Sequence, residues 1–224
     1  MARLERPQSK SSNPATKFLS WKSNDKCFEY YDKQNEKKVK VELPFKFLFL
    51  EHYHTVKGWH NASESGIYSN EVYSIGSEEL NVKAFKGGEI ANGLYKETKQ
   101  SILSAGGKYH RSVYVMLEDG SIVNLSFKGS AVSSYSDFYG DNNHLLDNQW
   151  ILVEDVTDGK KGSIKYSTPN FTLGANLSKA ENDKADEAAK ILQNHINTYN
   201  SKEVEVVTEE VKAEKVTDGN DVPF

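Results

Sequence analysis

One cysteine and five prolines among 224 residues leave this chain almost without covalent or ring-imposed locks. The lone Cys27 excludes an internal disulfide and fits a reducing compartment. No apolar run approaches the roughly 20 residues that cross a bilayer. Residues 1–6 lack the apolar core of a signal peptide, so a cytoplasmic protein with no membrane association is expected. Arginine is scarce: Arg3, Arg6 and Arg111 stand against many lysines. Bidentate reading of guanine favours arginine, so a lysine-rich surface suits phosphates better than base sequence.

Catalytic signatures are missing as well. There is no G-x-x-x-x-G-K-[ST] loop. Lys86-Gly87-Gly88-Glu89 places two glycines ahead of an expected helix, where a tight turn is the alternative to an anion site. His52, His54 and His60 form the histidine cluster, and His52 and His54 would share one side of a strand, yet no acidic or Cys ligand lies at metal-binding spacing. Cys27 sits in an apolar-aromatic stretch with no activating base. Asp119, Asp155 and Asp158 belong to turn signatures. A binding protein is expected, with no cofactor, metal or enzymatic activity.

What the chain does have is aromatic residues, strand patterns and a charge gradient. Residues 1–60 carry twelve Lys/Arg against seven Asp/Glu. Residues 201–224 carry seven acidic residues against three lysines, a net charge of −4 that equals that of the whole chain. Residues 1–16 read as a flexible arm. Residues 27–31 and 39–43 flank a hairpin turn. Phe45, Phe47 and Phe49 alternate on a strand whose two faces are both largely apolar, which makes it central.

Four-residue spacing of Ile90, Leu94, Thr98 and Ile102 predicts a helix over 89–105, ended by Gly106-Gly107. Residues 109–118 and 121–127 form the clearest hairpin, turning at Asp119-Gly120. A second helix is expected from Ser130, with Ala131, Tyr135 and Phe138 inward. Strands 150–156 and 163–167 bracket a turn at 157–162, with Pro169 and Gly174 ending the sheet. Ser178-Lys179-Ala180-Glu181 is a capping box opening a docking helix over 177–200, with an apolar stripe of Ala185, Ala188, Leu192, Ile196 and Tyr199.

The chain ends Asp221-Val222-Pro223-Phe224 on an acidic segment, 201–224, too polar to offset its ordering entropy and therefore expected to be disordered. This tip resembles the Asp-Ile-Pro-Phe end of bacterial single-stranded DNA-binding proteins (SSBs). Phage SSBs of similar length also commonly end in an acidic tail with a terminal Phe. Val222 stands for Ile, Asn220 for a usual Asp, and the long Gly/Gln/Pro-rich linker is missing. The resemblance implies that the tail recruits replication or repair enzymes such as a polymerase, helicase or nuclease.

The expected fold is α+β and mainly antiparallel β, with residues 17–176 as an OB-fold-like Greek-key barrel carrying inserted helices. An open antiparallel sheet with helices on one face is the alternative. The expected ligand is single-stranded DNA, held without regard to sequence by cations that follow phosphates and aromatic faces that stack bases. Four interleaved stretches are the candidate surface: Trp21-Lys22, Lys57-Gly58-Trp59-His60, Lys83-Ala84-Phe85-Lys86, and Lys108-Tyr109-His110-Arg111. Tyr53 joins Lys57 and Trp59 on one strand face, and residues 61–70 would loop over that face with Tyr68 at their end. Core packing is the alternative for each aromatic. The competing reading of the whole is a protein-interaction adaptor that docks through its Phe-ended tail without binding DNA. A strand edge or the docking helix could also make a homodimer.

Overall fold

The computed structural model describes residues 13–216, with side chains described to residue 198. The arm's first residues and the tip Asp221, Val222, Pro223 and Phe224 lie outside the described residues. The described chain has eleven strands and three helices. They run β1 (Lys17–Lys22), β2 (Cys27–Asp32), β3 (Lys37–Val41), β4 (Phe45–His60), β5 (Ser65–Ser69), β6 (Glu79–Ala84) and β7 (Gly88–Leu94). Next come α1 (Tyr95–Ser104), β8 (Gly107–Met116), β9 (Ile122–Phe127), α2 (Ser130–Asn142), β10 (Gln149–Lys161), β11 (Ile164–Asn176) and α3 (Lys179–Val216).

The strands join in one mixed sheet of order β3-β2-β1-β9-β8-β4-β5-β6-β7, in which β1 and β9 run parallel. The long strand β4 is its spine. Antiparallel to β8 over most of its length, β4 also pairs with β10 at its first residues and with β5 at its last. β10 continues the sheet to β11. The chain is thus α+β and mainly β, as its patterning predicts.

A register shift between Phe49 and Glu51 inserts one residue into β4. Such a bulge restores the alternation on the opposite parity. Phe45, Phe47 and Phe49 therefore share a face with His52, while Leu48 and Leu50 share the other with Tyr53. The first face, here the inner face, builds the main core from Leu19, Trp21, Phe28, Phe47, Val113, Leu125, Ile151 and Phe171, closed by Ala131 and Tyr135 of α2. Tyr135 stacks on Phe127 at 5.4 Å between ring centroids.

On the outer face, Leu48, Tyr53, Tyr114, Met116 and Trp150 receive Ala188, Leu192 and Ile196 of α3. Helices thus lie on both faces, unlike the one-sided open sheet. A third cluster of Val56, Ile67, Val72, Leu80, Val82 and Ile102 joins β4–β6 to α1.

Several local expectations hold and several do not. The capping box forms: Ser178 N–H and Oγ–H both donate to Glu181 Oε2 at 2.7 Å, and Glu181 N–H returns to Ser178 Oγ at 3.3 Å. The 109–127 hairpin turns at Asp119-Gly120. The helix expected over 89–105 starts only at Tyr95. Residues 88–94 pair with β6 instead, because Gly88 (φ 75°) and Gly93 (φ 135°) leave the helical region and Ala91 gains a place in the third cluster.

Residues 61–70 are not a loop but a turn followed by β5. The turn expected at 157–162 narrows to Gly162-Ser163, with residues 157–161 in strand. β10 and β11 continue as a long arm to Lys161 and Ile164, and Pro169 lies inside β11 opposite Val156, where the register shifts. α3 is drawn to Val216, past the Tyr199 at which its apolar stripe ends. No helix among the described residues is long and apolar enough to cross a membrane.

Candidate nucleic-acid interface

Residues directly paired across a sheet point to the same face. On the outer face, above the part covered by α3, one register row reads Lys108–Lys57–Tyr68–Lys83 across β8, β4, β5 and β6. With strands about 4.8 Å apart, this row spans about 14 Å. Tyr68 is exposed. The next row sets Trp59 opposite Gly66, and Phe85 N–H donates to Gly66 O at 2.9 Å, so Phe85 flanks the same glycine.

Trp59 is 56 % exposed and Phe85 79 %. Nothing lies within 4 Å of where a side chain at Gly66 would begin. Two open aromatic residues therefore bracket a gap about two strand spacings, or 10 Å, wide.

This end of the sheet is tied together locally. Ser63 Oγ meets His60 Nδ1 at 2.7 Å and Ser65 Oγ at 2.9 Å, and Lys86 N–H donates to Ser65 Oγ at 3.0 Å. The turns carrying Trp59 and Phe85 are thereby joined. Gly58 and Gly106 allow β4 and β8 to close beside them. A Cβ at Gly58 would sit 2.3 Å from Gly106 O, and Gly106 itself has φ 96°.

Charge converges on the same face. Half-buried Lys57 donates to Ser126 Oγ at 3.4 Å, and Ser126 Oγ also meets His110 Nδ1 at 2.9 Å. Burial lowers the Lys57 pKa, partly opposed by Glu71. His110 is held at about 3, first by burial and then by Lys57, Lys128 and Lys108, so it is neutral at pH 7. Lys128 is lowered by burial and by Lys108 and Lys22.

These lysines feel one another. Among the described residues Lys57, Lys83, Lys108 and Lys128 have no salt-bridge partner, whereas Lys22 pairs with Glu29 at 3.2 Å. The neighbouring carboxylate of Glu71 is occupied by the hydroxyls of Ser112 and Tyr114. A face with unneutralised cations raises the local concentration of polyanions.

The structure separates the sequence candidates. Lys22, Lys57, Trp59, Tyr68, Lys83, Phe85 and Lys108 come together on or beside the outer face, with exposed Lys86 in the adjoining turn. Trp21 does not: it is buried, set edge-to-face on Phe28 at 5.2 Å, with Nε1–H donating to Ser167 O at 3.1 Å. Tyr53 is buried, with its hydroxyl 3.0 Å from that of Tyr73. Neither ring has a face to offer a base.

Tyr109 and Arg111 point the opposite way, because strand alternation splits them from Lys108 and His110. On the inner side, Arg111 Nη1–H donates to His54 Nε2 at 2.9 Å. His54 therefore carries its proton on Nδ1, which donates to Tyr109 OH at 2.6 Å. Burial and Arg111 hold the His54 pKa at about 4. Arg111 Nε is buried with no partner among the described residues. His52 lies on the same side, its Nδ1 3.0 Å from Tyr135 OH and its pKa also about 4 from burial. Among the described residues no three His, Cys, Asp or Glu side chains are grouped to hold a metal.

Sequence reasoning missed Lys128, Ser126 and Gly66. The first two were accessible from the alternation of 122–127, which places Asn124, Ser126 and Lys128 on one face. Gly66 had no signal, since its role comes from what flanks it. Comparison with protein-family models, curated proteins and solved structures returns no match for this chain.

Proposed function

We propose that this protein binds single-stranded DNA without sequence preference, in replication, recombination or repair, through the outer face of its sheet. The observation that carries the reading is the pair of rows: Lys108–Lys57–Tyr68–Lys83, and Trp59 and Phe85 about open Gly66. Lysines bind phosphates by releasing counterions, and exposed rings stack on bases of any identity. The near-absence of arginine agrees with a surface that does not read base edges.

The strand connections support an OB-like core within the larger sheet. β4, β8 and β9 form a meander, α2 follows the third of these strands, and β10 returns to pair with β4 and then with β11. In OB folds the outer side of the second and third strands takes oligonucleotides. Here those strands are β8 and β9, which carry Lys108, His110 and Ser126, with Lys128 directly after β9. In this proposal the acidic tail competes with DNA for the basic face and, once displaced, offers its tip, residues 221–224, to a partner enzyme.

The test is fluorescence anisotropy of labelled oligo-dT at low and moderate salt, with duplex DNA as competitor, on the full chain and on Trp59→Ala. The expected result is salt-sensitive binding that duplex does not displace, weakened about 5- to 150-fold by removal of one stacking ring. No binding by the full chain or by a chain lacking 201–224 overturns the reading and leaves the adaptor that docks through Phe224.

A further inference from the structure

The arm formed by the ends of β10 and β11 stands beside the β1–β2 turn, and a cleft of about 590 Å³ lies between them. It is lined by Asn24, Lys26, Asp158, Lys160, Lys165 and Tyr166, among others. We propose that this cleft is a second subsite for the same single strand, taking one or two nucleotides through their phosphates. The inference rests on the function proposed above and extends its path past the sheet face.

Three features show that the cleft is built rather than incidental. The arm is fixed at its root: Ser167 N–H donates to Ser23 Oγ at 2.6 Å, Ser23 Oγ–H to Ser167 O at 2.9 Å, and Ser167 Oγ–H to Ser23 O. Tyr166 faces Gly159 across the arm, and a Cβ at 159 would lie 2.4 Å from Tyr166 Cζ. The missing side chain therefore lets the tyrosine ring lie over the Gly159 backbone on the face opposite Lys160 and Lys165, where it stiffens the arm. Lys160 and Lys165 are direct cross-strand partners. Like charges directly opposed destabilise a hairpin, and neither lysine has a salt-bridge partner among the described residues. An anion between them removes that repulsion.

Charge in the cleft also favours an anion. Three lysines face one carboxylate, Asp158, which pairs with Lys26 at 2.8 Å. Lys22, which acts with Lys108 on Lys128 of the sheet face, is next in the chain to Ser23 of the cleft lining.

The experiment compares oligo-dT of about 5 and about 16 nucleotides, bracketing the site sizes of OB-type modules. It uses the full chain, Lys160→Gln/Lys165→Gln and Trp59→Ala. Circular dichroism and thermal melts establish that each variant is folded. The double lysine variant should weaken binding of the long oligonucleotide and lower its salt slope by about 1.4. It should leave the short one unchanged, while Trp59→Ala weakens both. If Trp59→Ala weakens both lengths and the double lysine variant weakens neither, the second subsite is refuted and the sheet-face reading stands. If the unmodified chain binds neither length, both fail.

Discussion

Salt dependence on a short oligonucleotide tests the sheet face most directly, because the structure supplies the count. Lys57, Lys83, Lys108 and Lys128 lie on or beside the two rows without salt-bridge partners among the described residues. Each phosphate neutralised on a single strand contributes about −0.7 to the slope of log K against log salt concentration, so four contacts give about −2.8. Between about 50 and 200 mM salt the affinity should then fall about 50-fold.

Lys108→Gln and Lys128→Gln should each reduce the magnitude of that slope by about 0.7. Lys33→Gln, in the β2–β3 turn, should leave it alone. Anisotropy titrations of oligo-dT at four salt concentrations measure these slopes. A slope near zero, or one that the Lys108/Lys128 double substitution does not change, would refute the assignment of phosphates to this face.

Five further outcomes follow. Gly66→Leu should fill the gap between Trp59 and Phe85 and lower oligonucleotide affinity at unchanged melting temperature. Gly58→Ala should lower the melting temperature instead, since its Cβ meets Gly106 O. Arg111→Ala should leave oligonucleotide affinity unchanged, because the side chain is on the inner face, but should destabilise the fold by about 1–3 kcal/mol by stranding His54 Nε2, read by urea denaturation.

His52 and His54 have folded pKa values near 4 against an ordinary 6.5. The unfolded chain therefore binds more protons between those values, and stability, full above 6.5, should fall as pH drops toward 4. Denaturation midpoints across that window check it, with a smaller fall expected in His54→Asn. Deleting residues 201–224 should raise DNA affinity at low salt and change little at high salt. A fall in affinity would end the competition between tail and DNA.

Periodicity was a good guide wherever a segment's own contacts agreed with its neighbours. The 109–127 hairpin, α2 with Ala131 and Tyr135 inward, the capping box at Ser178 and the stripe through Ile196 could all be read from spacing and turn chemistry. Residues 88–94 could not, because a four-residue apolar spacing does not reveal that β6 waits alongside to pair. The β4 bulge was equally hidden: one inserted residue changes which face every later side chain occupies, and nothing in the local pattern marks it.

For the site, sequence alone determined the chemistry: lysines with few arginines, aromatics interleaved with them, one cysteine, and an acidic end closed by Phe224. Those are matters of residue type, which folding does not change. Only the tertiary structure decided which of these residues act together. Pairing across strands places Lys108, Lys57, Tyr68 and Lys83, up to about fifty residues apart in the chain, within about 14 Å of one another. The same alternation sends Tyr109 and Arg111, immediate neighbours of Lys108 and His110, to the far side. Adjacency along a strand separates side chains, and register across strands unites them, because the pleat turns successive residues to opposite faces.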